Sequence, residues 1–376
     1  METCEVLIVG GGPAGSACAW KLKQGGLDVM ILDAAHFPRD KVCAGWITPQ
    51  VVSALSFDLD EYRPGRTLQP ITGFRTGIVG SHGEVETRYA HPVGFGIRRC
   101  EFDHYLLDRS GARLKLGARL GSIRRAGDRW IVNDEIQAAM LVGAGGHFCP
   151  VARWLNGPFT ATSGPLVVAQ EAEFPVDSAA SATLTSIAGW PELYFSRDLK
   201  GYGWCFRKQG YLNVGLGRLD RHALPEAVSE FAAFLEAKAR IPSRIQPAWR
   251  GHSYALYHQA HRRSCVDGVL LVGDAAGLAY PESGEGIRPG IESGLLAAQT
   301  IVEAGGRYTT ELLEPYERRL GDRLASPSFL NALFPVVPAG IRAPLGRALL
   351  RVPNFVRRVV LDQWFLHSGE EPLVFA

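Results

Sequence analysis

The stretch Val6–Ala17, VLIVGGGPAGSA, decides the fold. It sets Gly10, Gly12 and Gly15 in G-x-G-x-x-G spacing directly after an apolar strand and directly before a helical pattern. The first glycine permits a tight turn, the second lets the backbone approach a pyrophosphate, and the third lets the helix pack close to the strand. N–H groups at the start of that helix then face the phosphates. A second apolar strand, VMIL, ends at Asp33, eighteen residues past Gly15. An acid there accepts hydrogen bonds from a ribose. Strand, glycine turn, helix, strand and acid stand in the order a dinucleotide fold needs. Only one such motif occurs, so one dinucleotide is held and any second one binds elsewhere or not at all.

A second signal is LLVGDAAGLAYPESGEGIRPGIESGLLAAQ, from Leu270. A strand ends at Gly273–Asp274, and Gly284 and Gly286 precede a helix. Asp274 is placed to bind a ribityl or ribose hydroxyl. The helix start at Gly286–Ile287 can aim its N–H groups at the pyrimidine end of a flavin and stabilise negative charge there. Taken alone, a structural turn with Asp as a helix cap reads equally well.

The bulk properties narrow the class. A chain of 376 residues suits two sub-domains sharing a ligand cleft. Its hydrophobic fraction of 46% and charged fraction of 21% are ordinary for a globular protein. A net charge of +2 argues against a nucleic-acid partner. Cys4, Cys18, Cys43, Cys100, Cys149, Cys205 and Cys265 are scattered and contain no C-x-x-C pair. Neither a disulfide framework nor a metal site is expected, and the setting implied is a reducing cytoplasm. No signal peptide and no spanning helix is read, because the first apolar run is the nucleotide-binding strand.

Along the chain, residues 1–35 read strand, helix, strand, and 49–63 helix. Residues 66–97 read as strands, and helical spacing returns at Phe102, Tyr105, Leu106 and Leu107. More strands follow, with a turn at Ala126–Asp128. Residues 163–218 read as a second, antiparallel sheet and 224–240 as an amphipathic helix. The tail from about 308 reads as helix broken at Pro327, Pro335, Pro338, Pro344 and Pro353. The expected architecture is α/β. A Rossmann-type domain spans 1–65, 98–162 and 266–306, a β-rich domain 66–97 and 163–265, and a C-terminal helical segment 307–376.

The glycine motif, FPRDKVCAGW (37–46), RCEFDHYLL (99–107) and the GDAAG…PESGEGI…SG run together resemble the geranylgeranyl reductase family, within the para-hydroxybenzoate-hydroxylase-like flavoproteins. The resemblance covers about residues 4–305 and implies FAD, a Rossmann-type domain, a β-sheet substrate domain and a C-terminal helical part. It implies that Gly10, Gly12, Pro13, Ala14 and Gly15 hold the pyrophosphate and that Asp33 binds the adenosine ribose. Arg39 and Lys41 then lie in a loop that leads from the adenine side to the flavin. Arg99 contacts the cofactor, Asp274 the ribityl region, and Gly284, Gly286 and Ile287 approach the ring. NAD(P)H is an open choice of electron donor, because the D-G pair of related hydroxylases is Gly145–Gly146 here, followed by His147, Cys149 and Arg153.

Cys43 matches a family cysteine near the flavin. Its residue reading leaves two roles open, a thiol tuned by Lys41 or a small buried side chain. GYGWCFRK, from Gly201, resembles the family's Y-x-W-x-F-P-K signature, with Arg207 in place of the proline. Tyr202 and Trp204 are expected to wall a substrate cavity. Arg207 reads two ways: it argues against a strictly prenyl substrate, since a cation in an apolar tunnel needs a partner, or it points to solvent. Cys149 reads as packing. His252, His258 and His261 read as structural, and Glu282 and Glu285 as proton donors or helix-dipole partners. Arg342, Arg347, Arg351, Arg357 and Arg358 interleave with apolar residues. That pattern fits a surface helix packed on the FAD domain before a membrane-surface contact.

The implied function is reduction of a carbon–carbon double bond in a largely apolar, prenyl or lipid-like substrate. The alternatives are hydroxylation of an aromatic or peptide-borne (protein) substrate through a flavin hydroperoxide, and a non-catalytic flavin-binding partner. A halogenase is disfavoured, because no W-x-W-x-I-P pattern occurs.

Overall fold

The computed structural model describes residues 1–159, 164–242, 248–259, 262–324 and 339–374. The chain forms two compact units, one of Met1–Asp40, Cys100–Leu166 and Tyr254–Ser326, the other of Lys41–Arg99, Val167–Ser253 and Pro327–Ala376. Residues 41–65, expected with the nucleotide-binding half, therefore group with the antiparallel sheet, as does the C-terminal segment.

The first unit is a doubly wound α/β fold. Five parallel strands lie in the order Val269–Leu271, Ile136–Gly143, Glu2–Val9, Val29–Asp33 and Arg113–Leu116. The central strands read as continuous apolar runs because both faces are covered. Chain order reverses between Glu2–Val9 and Ile136–Gly143, and the crevice at the carboxyl ends of such a pair is where ligands bind in this architecture. The helix Pro13–Gln24 leaves that point and packs on Ile287–Glu303. A Cβ at Gly294 would lie 2.2 Å from the Ala14 carbonyl oxygen, so the close helix contact requires glycine there. The hairpin Ile123–Ala126 and Arg129–Val132 extends the sheet, turning at Gly127 with φ +63°.

The second unit is built on a seven-stranded sheet. Its core runs Leu166–Pro175, Tyr211–Arg218, Gly201–Lys208 and Glu192–Phe195, all antiparallel, and Glu192–Phe195 pairs parallel with Gly73–Ile78. Alternation splits its faces. Tyr194, Cys205, Val214 and Leu216 pack under the amphipathic helix Leu224–Ala237. Leu193, Trp204 and Phe206 pack on the other face with Leu350, Val356, Val360, Leu361 and Phe365.

The C-terminal helices thus bury their apolar stripe on the sheet of their own unit, which corrects the expectation that they pack on the FAD domain. Arg351, Arg357 and Arg358 remain exposed. Pro344 does not break the helix Ala339–Leu349. Gly340, whose carbonyl the proline ring crowds, has no side chain and leaves the backbone room to tilt. Pro353 opens the next turn, Pro353–Phe355, where a missing N–H costs nothing. The helix expected over 49–63 is two, Pro49–Ala54 and Leu59–Tyr62, the second capped by Asp58. Residues 163–218 also contain an unexpected short helix, Ser178–Thr183. His261 and the breaks at Pro327, Pro335 and Pro338 lie outside the described residues.

Candidate functional site

The glycine turn is fixed by backbone contacts. Gly10 has φ +116°, and a Cβ there would lie 2.4 Å from the Ala144 carbonyl oxygen, across the crevice. A Cβ at Gly15 would lie 2.0 Å from the Gly10 carbonyl oxygen. The Asp33 carboxylate accepts the Gly11 N–H at 2.7 Å and the Ala35 N–H at 2.8 Å, so it ties the turn to the end of the second strand. Gly12 caps the helix Pro13–Gln24 without a side-chain bond. The Arg39 guanidinium stands 3.3 Å from where a Gly12 Cβ would be. Arg39 pairs with the fully buried Asp103 at 3.2 Å and stacks on Phe37. A bare helix N-terminus beside a held cation suits an anionic group such as a pyrophosphate. Asp103 was not singled out from the sequence, although it lies within the RCEFD segment.

The second motif lies at the end of Val269–Leu271. Asp274 stands in a tight turn, Gly273–Ala275, with a carboxylate oxygen 3.2 Å from where a Gly286 Cβ would be. Gly286 caps the helix Ile287–Glu303, and Ile287 is its first residue. Glu285 accepts the Arg288 N–H at 2.7 Å, a contact compatible with its helix-dipole reading. Gly284 has φ +67°, and a Cβ there would strike the Tyr254 hydroxyl at 2.2 Å. Arg262, missed in the sequence, bonds the carbonyls of Asp274, Ala275 and His147 at 3.1, 2.8 and 3.2 Å, bracing two loops. Cys149 is buried, and burial pushes its thiol up, consistent with packing.

In the second unit the Cys43 loop meets the sheet. The Cys43 N–H donates to the Glu171 carboxyl group, and the Cys43 carbonyl accepts from Asn213 Nδ2 at 3.1 Å. Asn213 Oδ1 accepts the Trp204 indole N–H at 2.7 Å. Lys208 is fully buried and donates to Glu173 at 2.7 Å and to the carbonyls of Ile97 and Ala44 at 2.9 and 3.1 Å. Lys41 contacts His252 at 2.6 Å.

Trp204 and Cys43 are therefore joined through Asn213, while Tyr202 packs edge-on against Phe365 in the C-terminal core. Arg207 lies on the opposite face from Trp204, Phe206 and Lys208, bonded to the Ser181 hydroxyl. It does not enter the aromatic face, and the objection it raised to an apolar substrate falls. Arg99 opens the helix Arg99–Arg109 and is half-buried. Among the described residues no His, Cys, Asp or Glu cluster could hold a metal ion.

Two carboxyl groups here part company. Burial pushes Glu173 up, but Lys208 and Arg98 outweigh it and hold the group below its ordinary value. Burial dominates at Glu171, Lys208 and the Cys43 N–H only partly oppose it, and the group is pushed up to about 7 from an ordinary 4.5. Between those values the folded state keeps a proton that the unfolded state has lost, so stability falls as pH rises. The slope from this group is about 1.4 kcal/mol per pH unit. Glu171→Gln has no such slope. Urea unfolding from pH 5 to 8 is expected to favour the variant increasingly, by on the order of 3 kcal/mol at the upper end. A gap that stays constant with pH would refute the assignment.

A profile of the NAD(P)-binding Rossmann-like domain family matches residues 8–46. The chain is 29% identical over 369 residues to menaquinone reductase of Mycobacterium tuberculosis, covering 89% of this chain and 87% of that one. It is 27% identical to digeranylgeranylglycerophospholipid reductase of Methanothrix thermoacetophila, covering 88% and 87%. Its fold matches a geranylgeranyl bacteriochlorophyll reductase-like protein of Thermoplasma acidophilum with TM-score 0.76, 20% identity and 98% of both chains covered. A point mutant of the halogenase PltM in complex with FAD matches with TM-score 0.70, 18% identity, and 97% and 85% covered. The chain is an FAD-dependent oxidoreductase that resembles geranylgeranyl-reductase-like proteins over most of its length.

The residues present fit FAD. The uncapped start of Pro13–Gln24 beside Arg39 suits the pyrophosphate, and the Asp274–Gly286 approach suits a hydroxyl-bearing chain leading to a helix N-terminus. Bound FAD supplies two-electron chemistry, and the protein supplies orientation and electrostatics. Among the described residues no helix is long and apolar enough to cross a membrane.

Proposed function

We propose that this flavoprotein reduces a carbon–carbon double bond in a prenyl or other lipid-like chain. What supports this reading is resemblance along most of the chain to reductases named for menaquinone and for digeranylgeranyl lipids. Arg207 lies on the opposite face from Trp204 and Phe206 and so raises no objection to such a substrate, although the C-terminal helices of the same unit cover those aromatics. In this reading the first unit binds FAD and the second serves the substrate. Gly10, Gly12, Pro13, Ala14 and Gly15 hold the pyrophosphate, with Arg39 as counter-cation. Asp33 takes the adenosine ribose in exchange for its bond to Gly11. Asp274 binds the ribityl chain, and Gly284, Gly286 and Ile287 present the helix start to the ring. Lys41 and Arg99 flank the cofactor-binding segments. Cys43, Tyr202 and Trp204 serve the substrate side, and NAD(P)H is one donor to test.

The deciding experiment incubates dithionite-reduced protein anaerobically with menaquinone or a digeranylgeranyl glycerophospholipid, followed by mass spectrometry. A product is expected that stays two hydrogens heavier after re-oxidation in air, which returns any quinol to quinone and leaves a saturated chain bond saturated. Admission of air should then return oxidised flavin and hydrogen peroxide. A lipid or aromatic substrate that gains an oxygen atom instead would establish the monooxygenase alternative and overturn the reduction.

A further inference from the structure

The helix Ala339–Leu349 turns one side to its own unit and leaves an apolar side in the open. Gly346 is buried, as is Leu350 just past the helix, and Leu350 belongs to the core with Trp46, Trp204 and Phe206. On the opposite side Ile341, Pro344, Leu345, Ala348 and Val352 are exposed, at 55% for Ile341, 40% for Leu345 and 46% for Val352. Ile341, Leu345, Ala348 and Val352 keep the i, i+4, i+7, i+11 spacing of one helix face, with Val352 carrying it past the last turn. Apolar residues exposed singly are ordinary, but a contiguous stripe with polar edges marks an interaction surface.

The edges of this stripe are basic. At about 100° per residue, Arg342 falls on one side of it and Arg347 and Arg351 on the other. Arg357 and Arg358 are exposed on the helical stretch Val356–Phe365 that follows. Residues 339–361 hold these five arginines and no acid. Arg347 bonds the Arg197 carbonyl at 2.8 Å, and Asp198, next in sequence, is already paired with Arg218 at 2.8 Å. Asp362, which closes the acid-free run, accepts the Tyr89 hydroxyl at 2.7 Å.

We propose that this face docks on an anionic lipid bilayer. The helix lies in the plane of the interface, with Ile341, Leu345 and Val352 among the acyl chains and the arginines at the lipid phosphates. Such helices bind through buried apolar area plus attraction to anionic headgroups. Long basic side chains beside an apolar strip suit that geometry, since their stems lie along hydrocarbon while their charges stay with water and phosphate. A second copy of this chain would set arginines against arginines, like charge on like. The helix face carries the inference, and the proposed reduction adds only that a lipid-like substrate dissolves in the same layer.

The test is flotation of the FAD-loaded protein, without substrate, on vesicles of phosphatidylcholine alone and of an equimolar mixture with phosphatidylglycerol. Wild type is expected on the mixed vesicles and not on phosphatidylcholine, with binding that falls as salt rises, because exposed charges are screened. Ile341→Ser/Leu345→Ser should lose roughly tenfold or more in vesicle affinity. Arg351→Gln/Arg358→Gln should lose roughly tenfold at low salt. All four sites are exposed, so both variants should unfold close to the wild-type urea midpoint. Wild type that stays in the lipid-free fraction would overturn the proposal without any variant. So would wild-type affinity kept by either variant, or equal binding to phosphatidylcholine alone. A dimer broken by Ile341→Ser/Leu345→Ser, with no vesicle binding, would give the face to a second copy instead. Docking by a protein that leaves menaquinone unreduced would count against the reduction and leave the bilayer contact standing.

Discussion

Gly10→Ala should give a folded protein that no longer retains flavin. The position combines two demands that no other residue meets. Its φ of +116° lies where side chains are strained, and the atoms a Cβ would meet are backbone: Ala144 O and C at 2.4 and 2.5 Å and Gly145 N at 2.6 Å. No rotamer change relieves such a clash, so the crevice between the first strand and Ile136–Gly143 must open. That crevice is where the pyrophosphate is read to sit. We expect FAD affinity to fall by roughly 100-fold or more, which corresponds to about 2.7 kcal/mol. Gly26→Ala is the control. Its φ is +81°, but nothing lies within 4 Å of the added carbon. It should lose about 1 kcal/mol of stability and keep its flavin. The flavin-to-protein absorbance ratio after purification, followed by FAD titration calorimetry, reads both. Full occupancy in Gly10→Ala would sink the placement of the pyrophosphate.

What the sequence disclosed and what it hid differ in range. The glycine turn, Asp33 and the Asp274–Gly286 element are short segments whose backbone demands are local, so spacing alone locates them. The Cys43 site is not local. The Cys43 bonds to Glu171 and Asn213 cross 128 and 170 residues, joining one insertion of the chain to another. Nothing in CAGW, or in the strand that carries Glu171, announces the other. Lys208 was visible as part of a signature, but its three acceptors were not. Arg207 is a different case, because strand alternation places it opposite Trp204, Phe206 and Lys208, and the pattern was there to be used. The C-terminal stripe told that one side is buried without telling against what. Its partner is a sheet assembled from residues more than a hundred positions away.

Lys208→Met should destabilise the second unit by about 3–5 kcal/mol, the usual consequence of leaving one member of a buried ion pair without the other. Methionine keeps the length of the stem and loses the charge, so packing contributes little to the change. Three acceptors lose their donor: Glu173 at 2.7 Å and the carbonyls of Ile97 and Ala44 at 2.9 and 3.1 Å. Glu173 keeps Arg98, which is partly exposed and cannot replace a fully buried ammonium. The two carbonyls belong to the loop and strand end that Lys208 staples together, and Gly45, at φ +70°, leaves room for nothing larger beside the ammonium. The Cys43 loop should therefore loosen, and mapped alkylation of Cys43 should quicken relative to Cys100, the other half-buried cysteine. Glu173→Gln separates charge from geometry. If the ion pair carries the loss, Lys208→Met costs much less in the Glu173→Gln background, with a coupling energy of about 1–3 kcal/mol in urea unfolding. Additive losses would assign the effect to the Ile97 and Ala44 carbonyls. A loss below about 1 kcal/mol in the single variant would mean that water reaches the pair, against its burial.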